Sequence, residues 1–181
     1  MKKLLIIIGL IFSSDAFAID CLQHPIYCQI RDNNPKLDKK YMMKLSNLIR
    51  KVSKKYNINS NIYTAILAQE SLYELSAVNC TKGFRDAFPG EVNIQVYPYY
   101  KEGKVCTDFG ISQIHWKTIK SYSFDVDKLT SDLEYSVGAG AIVLRDMKKR
   151  YHYAEKDYWT RYNSSNESKR NAYKQLVERF L

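Results

Sequence analysis

The stretch Asn61-Ile62-Tyr63-Thr64-Ala65-Ile66-Leu67-Ala68-Gln69-Glu70-Ser71-Leu72 decides how this chain is read. Ile62, Ala65, Ile66, Leu67 and Ala68 leave it apolar on most sides, the pattern of a helix buried nearly all round. Asn57 to Ser60 is a polar break suited to its start. Glu70 falls close to its C-terminal end. Burial there disfavours the ionised carboxylate, and the negative end of the helix dipole pushes the same way. A glutamic acid that keeps its proton near neutral pH is what protonation of a glycosidic oxygen requires. The alternative for a glutamate at a helix end is a solvated surface group.

Working outward, Tyr41, Leu45, Leu48, Ile49, Val52 and Tyr56 recur at helical spacing from Asp38, with basic residues on the other face. Helical periodicity returns at Leu133, Val137, Ala141, Leu144 and Met147, with Ser131 as the expected cap. Two further helices are expected near Glu155–Tyr162 and Lys169–Phe180. Between the two halves, residues 80–107 read as a β-hairpin or loop. Val92 to Tyr100 is β-branched and aromatic, Lys101 to Lys104 is turn-like, and Pro98 argues for an edge strand. The expected fold is mainly α: one helical domain over 38–181 with a small β excursion around 80–107. Residues 19–37 read as an irregular arm tied by a disulfide.

Residues 1–18 read as a secretory signal peptide. Lys2 and Lys3 precede the apolar run Leu4 to Phe12, and Ala16-Phe17-Ala18 supplies a small-x-small cleavage pattern after Ala18. An uncleaved N-terminal anchor is the alternative. The run is too short for a permanent span, so no stable membrane anchor and a periplasmic location are expected. Four cysteines in an exported chain favour disulfides over a metal site. Three pairings are possible, and Cys21–Cys28 with Cys80–Cys106 is the preferred one. The histidines are scattered and no close Cys-x-x-Cys pair exists, so neither a metal nor a cofactor is expected.

The whole chain carries +9, which loss of Lys2, Lys3 and Asp15 with the leader reduces to +8. That balance suits a polyanionic partner. Nucleic acid is set aside, since no recognition motif for it is present. Asp108-Phe109-Gly110 spells a kinase tripeptide without the loops that would give it meaning. His24, His115 and His152 are not placed for a serine or cysteine triad.

Four fragments together resemble the soluble lytic transglycosylase (SLT) family of the lysozyme-like superfamily. They are Ala65 to Ser71 (an apolar helix ending Glu-Ser), Gly110-Ile111-Ser112-Gln113-Ile114, Ser136-Val137-Gly138-Ala139-Gly140 through Leu144, and Tyr162-Asn163. The resemblance covers roughly residues 40–181. It implies a lysozyme-like α+β fold and cleavage of peptidoglycan glycan strands. Glu70 would be the single acid and base, with Ser71 orienting the glycan or the reacting group. Gln113 would bond the sugar, and the backbone at Gly110 would let the strand approach. Tyr162 and Asn163 would line the cleavage site, and Tyr173 would hold Glu70. The chain departs from the family pattern at Ser112 (usually methionine), Arg161 (usually alanine) and Ser165 (usually glycine).

The activity implied is non-hydrolytic cleavage between N-acetylmuramic acid and N-acetylglucosamine, leaving a 1,6-anhydro end, by a monomer. The size resembles the specialised members that open the wall for conjugation, secretion or pilus machines. Two alternatives stand beside this. One is a hydrolytic muramidase, credible if Asp108, expected in a loop with Asp86 and Glu91, points into the cleft. The other is a catalytically weak glycan-binding assembly module.

Overall fold

The computed structural model describes residues 21–82, 100–101, 104–153 and 155–181. The expected signal peptide, most of the Val92–Tyr100 strand, Asp86 and Glu91 lie outside the described residues.

Helix α1 (Pro25–Asn33) opens with proline in its first turn, where the missing N–H costs nothing. This corrects the expectation of an irregular arm. The Cys21–Cys28 bridge is there as expected, but Ile26, Tyr27 and Ile30 are buried against the main core, so the segment is an integral helix. A short run with one proline and one cysteine gives too few apolar positions for periodicity to be seen.

Helix α2 (Lys39–Tyr56) follows, capped by Asp38, whose carboxylate accepts from Tyr41 N, and ended by Asn57 in the left-handed region. Helix α3 (Ser60–Ser71), capped by Asn59, is the apolar stretch read first. Tyr63, Ala65, Ile66 and Leu67 are fully buried, and α3 packs against α1 and α2. It ends in two consecutive left-handed residues, Leu72 (φ 51°) and Tyr73 (φ 69°).

The β excursion is an antiparallel sheet centred on β3 (Lys104–Phe109). Along one side β3 pairs with β1 (Val78–Lys82), and the Cys80–Cys106 bridge joins facing positions of these strands. The start of β3 pairs with β2 (Tyr100–Lys101), its end with β4 (Ile114–His115). Asp108 and His115 therefore stand on facing strand positions, not in loops.

Two short helices unread in the sequence come next, α4 (Trp116–Tyr122) and α5 (Val126–Ser131). At seven and six residues they are shorter than two turns, too short to show a period. They bury Trp116, Ile119 and Leu129 in a second, smaller core under the sheet. Helix α6 (Leu133–Tyr151) is capped by Asp132, not by Ser131, whose hydroxyl donates to Asp127 O. A 3-10 helix (Tyr158–Tyr162) replaces the helix expected from Glu155, and α7 (Glu167–Glu178) closes the described fold against α3. Among the described residues no helix is long and apolar enough to cross a membrane.

Candidate active site

The apolar faces of α3 leave its last turn at the edge of the core, where Glu70 emerges half-buried into an open cleft of about 140 Å³. Glu70 shares this cleft with Asp108, Gln113, His115, Thr118, Val143, Tyr162 and Asn163. Burial pushes the Glu70 carboxyl up from its ordinary 4.5 to about 7. Two smaller effects oppose each other. Tyr173 donates a hydrogen bond to Oε1 at 2.5 Å and lowers the value, while the negative charge of Asp108 raises it. Tyr173 is itself buried on α7, so the phenol meets the carboxyl from inside the protein.

Opposite Glu70, the turn from Gly110 to Gln113 joins β3 to β4. Both ends of the turn are left-handed, Gly110 at φ 74° and Gln113 at φ 42°. A Cβ on Gly110 would lie 2.1 Å from Leu129 O and 2.6 Å from Ser136 Oγ, so this glycine is required where α5 and α6 pass beneath the turn. Gln113 Nε2 donates to Ala77 O and Gly110 O, at 3.0 and 2.9 Å. Both amide hydrogens are thereby committed to backbone, which leaves Oε1 as the part of the amide able to accept a hydrogen bond. Ser71 serves as a strut: its hydroxyl donates to Ile111 O at 2.8 Å and ties the end of α3 to the turn. Tyr162 does the same from the other side, donating to Ser112 O at 2.8 Å with its ring along the cleft.

Ser112 does not face the cleft. It is fully buried beneath α6, where a Cβ on Gly140 would lie 2.2 Å from Ser112 Oγ and 2.7 Å from Tyr63 OH. The small residue at 112 and the glycine at 140 are matched to each other. Arg161 ion-pairs with Glu155 and lies over the Tyr151 ring at 4.2 Å, which anchors the 3-10 helix before Tyr162.

Of the residues singled out in the sequence, Glu70, Gln113, Tyr162 and Asn163 line the cleft and Tyr173 touches Glu70. Ser71 and Gly110 build the wall behind it. Sequence reasoning missed His115 and Thr118, because strand β4 and helix α4 carry no periodic signal, and Val143, which falls outside the apolar repeat read on α6. Asp108 is held by Asn79 Nδ2 (3.1 Å) and Thr107 Oγ1 (2.6 Å), both on Oδ2, so Oδ1 carries neither bond. No cluster of three metal-ligating side chains occurs among the described residues.

A mainly helical domain with a small antiparallel sheet, and a glutamic acid of raised pKa at the end of its buried helix, is a lysozyme-like architecture. The transglycosylase SLT domain family matches residues 47–179, and the chain belongs to that family. The comparisons with curated proteins and with solved structures gave no match.

Proposed function

We propose that this protein is an exported lytic transglycosylase that cuts peptidoglycan between N-acetylmuramic acid and N-acetylglucosamine. The observation that carries the reading is Glu70, a carboxylic acid protonated to near pH 7 and held by Tyr173 at a cleft edged by Gln113, Tyr162 and Asn163. Protonated Glu70 gives its proton to the glycosidic oxygen as the bond to C1 of the muramyl unit breaks. The resulting carboxylate takes the proton of that unit's C6 hydroxyl, whose oxygen closes on C1 as a 1,6-anhydro sugar. Atoms and charge balance with no water consumed and one carboxyl group in both roles. The leader ending at Ala18 and the two disulfides support action in the periplasm. The small domain suits local opening of the wall for an envelope-spanning machine.

The position of Asp108 favours a second reading. Its carboxylate lines the same cleft as Glu70, an arrangement in which it would activate water for hydrolysis, as in two-carboxylate glycosidases. Mass analysis of products released from purified sacculi separates the two. Anhydro ends, one water lighter than reducing ends and lost in Glu70→Gln, are expected. Reducing ends would establish the hydrolase, and sacculi left uncut by the native protein would leave a glycan-binding module.

A further inference from the structure

The C-terminal ends of α2 and α6 lie side by side, away from the cleft, and both are basic. Two open grooves meet there at Asn57. One is lined by Arg50, Ser53 and Lys54, the other by Lys55, Tyr56, Arg145, Lys148 and Lys149. None of the residues lining either groove is acidic. Helix C-termini attract a cation or two through their exposed carbonyls. Lys148 meets that need, donating to Asn57 O, and Arg145 pairs with Asp146. Arg50, Lys54 and Lys55 have no carboxylate partner among the described residues, Lys149 acts on the Asp146 carboxylate without an ion pair, and all four are exposed. Lys55 Nζ and Arg145 Cζ each lie over the Tyr56 ring, at 5.1 and 5.2 Å from its centre. Tyr153, 99% exposed, stands at the rim. Ser53 Oγ is buried beside the first groove with no hydrogen-bond partner.

On α6, Val143 lines the cleft, whereas Arg145, Lys148 and Lys149 line the basic groove. At about 100° per residue these three centre roughly opposite Val143. A strand lying in the track is therefore not the strand being cut. A flat bilayer does not enter grooves, and a single ion does not need six cations along two of them. We propose that this track is a second binding site for peptidoglycan, which takes the stem-peptide carboxylates of a neighbouring uncut strand and keeps the enzyme on the wall between cleavages. The choice of polymer rests on the function proposed above.

The test is co-sedimentation of the Glu70→Gln protein with intact sacculi, so that binding is read without cutting. The comparison is the same protein with Lys54→Gln, Lys55→Gln and Lys149→Gln, exposed positions that make no hydrogen bond in the fold. The bound fraction at low salt should fall at least about fivefold, with a flatter salt dependence, because screening acts on the charges removed. In the Glu70 protein the triple change should slow cleavage of sacculi but leave cleavage of a short soluble glycan within about twofold, since the cleft is untouched. Unchanged sedimentation of the triple variant would overturn the proposal. So would equal binding of the Glu70→Gln protein to sacculi stripped of stem peptides, a result that needs no variant of the track. Tighter binding to single-stranded DNA or to phosphatidylglycerol vesicles than to sacculi would overturn the choice of occupant. If the native protein cuts nothing while track-dependent sedimentation stands, the enzyme reading fails and this surface remains.

Discussion

At the scale of single residues, the chemistry rests on how the surroundings of Glu70 divide. Burial raises its carboxyl to about 7, the Tyr173 hydroxyl favours the carboxylate, and Asp108 disfavours it. Because the acid must be protonated to act, kcat/KM should fall as pH rises through about 7. Tyr173→Phe removes a bond to the carboxylate, so this alkaline limb should move to higher pH. Asp108→Asn removes a negative charge, so it should move to lower pH. Both shifts are read from pH–rate profiles on sacculi. For the lytic reading Asp108→Asn should keep most of the activity near pH 6, whereas a hydrolase would lose roughly 10²–10⁴-fold. The same carboxyl has a stability consequence. The unfolded chain releases this proton near 4.5 and the folded protein near 7, so stability should decline as pH rises between them and level off above. Glu70→Gln removes that decline and should stabilise the protein at pH 8 by up to about 3 kcal/mol, less whatever solvent reaches the half-buried group. Thermal melts of the two proteins at pH 5 and pH 8 check it.

At the scale of elements, α6 carries two glycines two residues apart with opposite meanings. Gly140 is where α6 crosses Ser112 and Tyr63, with no room for a methyl group. Gly138 has nothing within 4 Å of where its Cβ would stand. Gly140→Ala should therefore destabilise by about 1–3 kcal/mol through overpacking, and Gly138→Ala should stabilise by roughly 0.5–1 kcal/mol through helix propensity. Denaturant midpoints decide both. The sequence showed both glycines in one motif and gave no means of separating them, because what distinguishes them is a turn some thirty residues upstream. Helices α2, α3 and α6 were legible for a different reason: α2 and α6 are long enough to repeat their apolar spacing several times, and α3 is apolar on most sides. Helices α4 and α5, and the inclusion of α1 in the core, were not. Their burial is supplied by partners distant in sequence, and short runs leave no period to read.

At the scale of the whole molecule, three tethers keep the cleft's two walls in register. Ser71 and Tyr162 bind the Gly110–Gln113 turn from α3 and from the 3-10 helix. The Cys80–Cys106 bridge closes β1 on β3, the strand that carries Asp108. With a sequence separation of 26, its loss should cost roughly 3.5 kcal/mol in the chain-entropy picture. A Cys80→Ser, Cys106→Ser protein should unfold at correspondingly lower denaturant, and a fall no larger than that of an exposed point substitution would show the sheet to be held by its other contacts. Closure at the opposite end is by hydrogen bonds: Gln29 and Asn33 on α1 both donate to Phe180 O, which joins the start of the described fold to its end.

The sequence by itself determined the buried helix, the acid at its end and the spaced fragments that mark the family, because these depend on local periodicity and residue type. The company that acid keeps does not follow from local chain chemistry. Tyr173, which only the family resemblance named as its partner, lies 103 residues downstream, and Asp108 is on a strand that reads as a loop. Ser71 and Gly110, expected at the glycan, turn out to hold the wall behind it. Local chain chemistry sets which element forms, but the identity of a neighbour across the cleft is set by how elements pack, and no short stretch of sequence contains that.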